Sequence, residues 1–166
     1  MIDWIKVLYD DTYNVKVFDN FTSVNNVFEV LTFALVKRSF RYLICALYRP
    51  PRCNPLDFNK LFFEDFVNEF SHDEKVLIVG DINFNLFNPY RLSYIDDFIN
   101  NMLAYSYFPV VTIPTKINNN SFNNVTGFSL IDQIWSNFKL GCSHKSGVIN
   151  FQLTDHLPIY IYFLYF

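Results

Sequence analysis

Short β-rich runs of apolar residues fill most of this chain, and two stretches replace that habit with a helical period. Residues 4–9 and 14–18 predict a hairpin that turns at Asp10-Asp11. Phe28 to Val36 and Phe40 to Tyr48 predict a second pair of strands around Lys37-Arg38-Ser39. Pro50-Pro51 ends that pair, because proline has no N–H to give a ladder. Asn54 then suits a helix N-cap and Pro55 the first helical position. Phe58, Leu61, Phe62, Phe66, Val67 and Phe70 follow at helical spacing, so one face is apolar. Lys75 to Val79 predicts a short buried strand ending in Gly80-Asp81. Tyr94, Ile95, Phe98, Ile99, Met102 and Leu103 mark a second amphipathic helix, with a short strand after it at Pro109 to Val111. Asn118 to Asn124 reads as a polar loop, and 130–135, 145–151 and 157–163 as closing strands. Strand pairs with helices interposed predict an α/β (α+β) layered sandwich, with no domain boundary within 1–166.

Composition narrows the class. The chain has 166 residues, 51% of them hydrophobic and 20% aromatic, which excludes a disordered chain and allows a sizeable core. No apolar run reaches the roughly 18 residues of a membrane span, and Met1-Ile2-Asp3-Trp4 shows no secretory signal. The expectation is an intracellular chain with no membrane partner. Cys45, Cys53 and Cys142 are odd in number and lack metal-like spacing, so reduced thiols are expected. A net charge of −3 argues against a general nucleic-acid coater. It leaves room for a nuclease, because a site that holds a divalent cation must itself be acidic.

Candidate chemistry gathers at strand ends. Gly80-Asp81-Ile82-Asn83, Ser129-Leu130-Ile131-Asp132 and Thr154-Asp155-His156-Leu157-Pro158 each place a carboxylate beside an apolar run. Asp81 can orient a water or take its proton, and Asn83 can donate to a phosphate oxygen. Asp155 is a hard ligand suited to Mg²⁺. His156 can carry a proton near neutral pH, and Asp132 is its natural carboxylate partner. Tyr48 and Arg49, in the Tyr48-Arg49-Pro50-Pro51 turn, can point at a phosphate. Each residue alone is more often a turn, cap or core group. Together they suit metal-assisted attack on a phosphodiester.

The series Leu47-Tyr48-Arg49-Pro50-Pro51, Gly80-Asp81-Ile82-Asn83-Phe84-Asn85, Thr112-Ile113-Pro114-Thr115, Ser129-Leu130-Ile131-Asp132-Gln133-Ile134, Asn137 and Thr154-Asp155-His156 resembles the endonuclease/exonuclease/phosphatase superfamily. It is most similar to the apurinic-type endonuclease domains of non-LTR (LINE, jockey-like) retrotransposons, over roughly 28–161. The resemblance implies a DNase I-like two-sheet sandwich with helices on the outer faces and Mg²⁺ or Mn²⁺ as cofactor. It implies catalytic roles for Asp81, Asn83, Asp132 and His156, substrate contacts from Tyr48, Arg49 and Asn83, and a metal contact from Asp155. DNA is the implied substrate, nicked to prime reverse transcription, with a reverse transcriptase as partner domain and the nucleus as the place of action.

Family members begin with a strand ending in asparagine and another ending in a metal-binding glutamate, and nothing before Tyr48 matches either. Glu29 lies in the strand region that follows those motifs in the family and is not assigned as the metal ligand. The expectation is a single partial domain lacking its first strands, with weak or no activity. The alternatives are another phosphodiesterase or phosphatase of this fold, or a non-catalytic binding remnant.

Overall fold

The computed structural model describes residues 14–37, 40–70, 75–88, 90, 92–120, 125–140, 144–151 and 154–163. In chain order these form β1 (Asn14–Val17), β2 (Ser23–Val24), β3 (Glu29–Lys37), β4 (Phe40–Tyr48), α1 (Pro55–Leu61), β5 (Val76–Asp81), α2 (Ser93–Ala104), β6 (Phe108–Pro109), β7 (Lys116–Asn120), β8 (Val125–Ser129), β9 (Asp132–Ser136), β10 (His144–Val148) and β11 (Ile159–Phe163). The main sheet runs β1-β3-β4-β5-β9-β6, with β2 also paired to β3. β4 and β5 are parallel, and α1 lies in the connection between them, as a parallel pair requires. Among the described residues β10 and β11 form a two-stranded sheet of their own, as do β7 and β8, with a single bridge from Lys116 of β7 to His156.

The helical layer forms as its sequence dictates. The Asn54 side chain accepts from the Leu56 N–H and Pro55 occupies the first turn. Beyond Leu61 the helix widens over Phe62–Phe66 and tightens over Val67–Glu69, so the helical spacing continues in altered turns. Phe58, Phe62, Phe63, Phe66, Phe98 and Met102 pack with Val30, Cys45, Leu47, Ile78 and Trp135 of the sheet in the larger apolar cluster. The opposite face of the sheet, through Ile44, Leu77, Val79 and Ile134, meets Val148, Ile159, Ile161 and Phe163 of β10 and β11. The main sheet therefore lies between helices and a second small sheet, the sandwich expected from the order of elements.

One expectation lies outside the described residues and one changes. Residues 4–9, the first arm of the expected N-terminal hairpin, lie outside the described residues; β1 itself pairs with β3, Asn14 opposite Val36. The asparagine-rich stretch expected as a loop is strand from Lys116 to Asn120, with Asn118 opposite Gly127. Pairing with β8 overrides the low strand propensity of asparagine. Among the described residues no helix is long and apolar enough to cross a membrane.

Candidate active site

Strand register assembles the site. Glu29 of β3 lies opposite Tyr48 of β4, Tyr48 opposite Asp81 of β5, and Asp81 opposite Asp132 of β9. Register partners share a face, so these four side chains form a row across four adjacent strands. It is the face covered by β10 and β11, since the alternate positions Val30, Leu47 and Ile78 pack under the helices.

The Gly80-Asp81-Ile82-Asn83 segment is held in detail. Gly80 has φ +146°, and a Cβ there would fall 1.8 Å from the Leu47 carbonyl oxygen, so β5 passes β4 too closely for any side chain. The Asp81 carboxylate accepts from the Asn83 N–H at 2.9 Å. Asn83 adopts φ 53° and gives one amide N–H to the Arg49 carbonyl at 2.8 Å. Burial, and then Asp132 across the ladder, push the Asp81 carboxyl up to about 6. Burial also raises the Tyr48 hydroxyl, with Asp81 and Glu29 adding to the effect.

Thr115 explains how the last two motifs meet. Its buried hydroxyl accepts from the Ile131 and Asp132 N–H groups at 3.2 and 3.0 Å, which sets the start of β9. Its carbonyl accepts from the Leu157 N–H, and the Ile117 N–H donates to the Asp155 carbonyl, so β7 is stitched to the segment carrying His156. The Thr154 hydroxyl accepts from the His156 N–H at 3.1 Å and shapes the turn. His156 Nδ1 then lies 3.1 and 3.0 Å from the two Asp132 carboxylate oxygens. Ligand atoms of Asp81, Asp132 and His156 all fall within 4.8 Å of one another. A cavity of about 670 Å³ adjoins them, lined by Asp132 and His156 at one end and by Val79, Ile134, Ile159 and Ile161 along its length.

Asp81, Asn83, Asp132, His156 and Tyr48 thus come to one end of one face. Arg49 does not join them, which corrects the expectation of a phosphate contact. It is 3% exposed, its guanidinium sits 4.3 Å from the Phe84 ring centroid, and it donates to the carbonyls of Ile82 and Cys53, each at 3.2 Å. Its charge is spent on clamping the loop after β5. Asp155 also departs from its expected place. Its carboxylate is 56% exposed and stands 3.0 Å from the Lys116 ammonium, which holds it below the usual carboxylate range. It is not among the groups that cluster with Asp81.

Two further groups stand at the site: Glu29, which the sequence left unassigned, and Lys116, which no motif marked. Glu29 ends the row beyond Tyr48, and one of its carboxylate oxygens is buried without a hydrogen-bond partner. Lys116 places Nζ 3.0 Å from His156 Nε2. An ammonium cannot accept, so Nε2 accepts and Nδ1 carries the proton toward Asp132. A lone lysine in a loop-like stretch gave no signal, whereas the β3–β4 register, counted back from Lys37 opposite Phe40, does place Glu29 opposite Tyr48.

The donor set fits a hard divalent cation. Carboxylate oxygens predominate, Asp132 faces Asp81 across the ladder and adds to the burial that raises its carboxyl, and Glu29 keeps an unpartnered buried oxygen.

No family model and no curated protein matches the sequence. Solved structures do match. The endonuclease domain of TRAS1, a telomere-specific non-LTR retrotransposon, superposes with a TM-score of 0.75 at 12% identity, over 95% of this chain and 71% of that one. An endonuclease/exonuclease/phosphatase family protein from Leptotrichia buccalis C-1013-b gives 0.59 at 14% identity, over 95% and 74%. The beta toxin of Staphylococcus aureus, as its F277A, P278A mutant with bound magnesium ions, gives 0.55 at 19% identity, over 90% and 65%. The chain therefore has the fold these structures share, the DNase I-like two-sheet sandwich that was expected.

Proposed function

We propose that this chain is a metal-dependent phosphodiesterase that nicks DNA, acting as the endonuclease part of a retrotransposon-derived protein. The carrying observation is the Asp132–His156 pair set beside Asp81 at adjoining strand ends. The likeness in fold to a retrotransposon endonuclease domain supports DNA as the substrate, and a reverse transcriptase partner domain and an intracellular setting with access to the nucleus belong to the same proposal.

Each residue has a defined task. Asp81 orients the attacking water and accepts its proton. Asn83 has used one amide N–H on Arg49 and offers the other to a phosphate oxygen. Tyr48, the neighbour of Asp81 along the row, supplies a hydroxyl to the same phosphate. Asp132 fixes the His156 ring through Nδ1, so that Nε2, once protonated, can give a hydrogen bond or proton to the charged phosphate in the transition state. Asp81 and Asp132 would hold Mg²⁺ or Mn²⁺, with Glu29 the next carboxylate along the row. The cation, when bound, neutralises phosphate charge and makes water more acidic.

Nicking of supercoiled plasmid by the purified chain tests it, with Mg²⁺ or Mn²⁺, with EDTA, and with His156→Ala. The expected result is nicking that needs the metal and falls about a hundredfold or more in the variant. A folded chain that leaves the plasmid intact under both metals would refute the assignment.

A further inference from the structure

We propose that Lys116 is a phosphate-binding residue of this site, a fixed cation that meets the same substrate oxygen as His156. The inference rests on the phosphodiester reading above and extends it to a residue that no motif marks.

Position is the first ground. Lys116 opens β7, and backbone bonds on either side of it, from Leu157 N–H to Thr115 and from Ile117 N–H to Asp155, tie it to the segment carrying His156. Lys116 and His156 also form a backbone bridge. The placement of its side chain is thus set by the same stitching that sets the imidazole.

Geometry is the second. Nζ stands 3.0 Å from Asp155 Oδ2 and 3.0 Å from His156 Nε2. These contacts use two of the three N–H donors of an ammonium. The two nitrogens are close enough that one phosphate oxygen reaching His156 Nε2 also comes within hydrogen-bond range of Nζ. With that oxygen present, Lys116 exchanges its contact with Nε2 for the oxygen, and Asp155 stays as the counter-ion. The side chain is 23% exposed, so an anion can reach it without unpacking the fold.

Electrostatics is the third. Glu29, Asp81, Asp132 and Asp155 surround the site and repel a phosphodiester. Arg49 cannot offset them, because its guanidinium is buried on carbonyls behind the loop. An ammonium is a compact point charge suited to this task.

The test is titration of the chain with inorganic phosphate, without added metal, read from the imidazole ¹⁵N resonance of His156. The three histidines make it assignable. Wild type should show a saturable shift, Lys116→Gln binding weaker by about tenfold or more, and Lys116→Arg much of the wild-type affinity. Asp155→Asn should bind phosphate more tightly, because a repelling carboxylate beside the anion is gone. A second readout is binding of a short DNA duplex in EDTA, where Lys116→Gln should flatten the slope of log K against log salt by about 0.9, one phosphate contact. Unchanged phosphate affinity in Lys116→Gln, or no phosphate-induced shift in wild type, overturns the proposal. Phosphate binding that depends on Lys116 in a chain that nicks no DNA would keep the lysine and remove the endonuclease reading. Nicking with Lys116-independent phosphate binding would do the reverse.

Discussion

Asp81 carries an electrostatic cost that can be measured. Its carboxyl titrates at about 6, raised first by burial and then by Asp132. A carboxyl raised in the folded state binds more protons there than in the unfolded chain, so stability falls as pH rises from about 4 toward 6. Asp81→Asn removes the charge while its amide oxygen can still accept from the Asn83 N–H. In EDTA at pH 7.5 the variant should melt about 2–4 °C above wild type, an effect of about 1 kcal/mol after allowance for the solvent that still reaches the group. The gap should close near pH 4. Calorimetry across that range decides the matter, and equal melting temperatures at pH 7.5 would show that Asp81 is not strained by burial. Millimolar Mg²⁺ or Mn²⁺ should raise the melting temperature of wild type more than that of the variant, because a ligand of the folded state stabilises it.

At the level of elements, the β4–β5 pair holds the loop that shapes the site. Gly80 lets β5 approach the Leu47 carbonyl, Arg49 clamps Ile82 and Cys53 from below, and Asn83 bonds back to Arg49. Gly80→Ala should cost roughly 3 kcal/mol or more, because the new methyl group meets backbone rather than a side chain that can turn away. Urea unfolding measures this directly, and a midpoint equal to wild type would mean the strands can separate at no cost. The same pair shows how far local sequence reaches. The helix cap at Asn54, the amphipathic face of α2 and the strand ending in Gly80-Asp81 were all readable, since each rests on neighbours within a few positions. The strand at Lys116–Asn120 was not, because its support comes from β8 and from the His156 segment.

Over the whole molecule, protection is uneven. β4 and β5 have neighbours on both edges and cover on both faces, whereas β10 and β11 form a two-stranded sheet of their own among the described residues and turn Lys145, Tyr160 and Tyr162 outward. Amides of β4 and β5 should therefore exchange with solvent on the order of a hundredfold more slowly than those of β10 and β11. Hydrogen exchange read by NMR or mass spectrometry tests this, and uniform protection would mean the two sheets unfold as one unit. The consequence for the site is specific: Asp81 and Asp132 stand on the protected sheet, while His156 sits just before β11 and depends on the stitching to Thr115 and Lys116.

The order of motifs along the chain determined the fold and which groups could be brought to bear on a substrate, because strand-end carboxylates and a neighbouring histidine are properties of residue type and period. Tertiary structure alone decided which of those groups meet. It drew Arg49 under the loop, turned Asp155 to Lys116, and put Glu29 in the row with Tyr48 and Asp81. Such outcomes depend on register and on contacts between residues 24 to 40 positions apart, such as Asp132 with His156 and Lys116 with His156. Periodicity says which face a side chain occupies, but only the packed sheet says what stands opposite it.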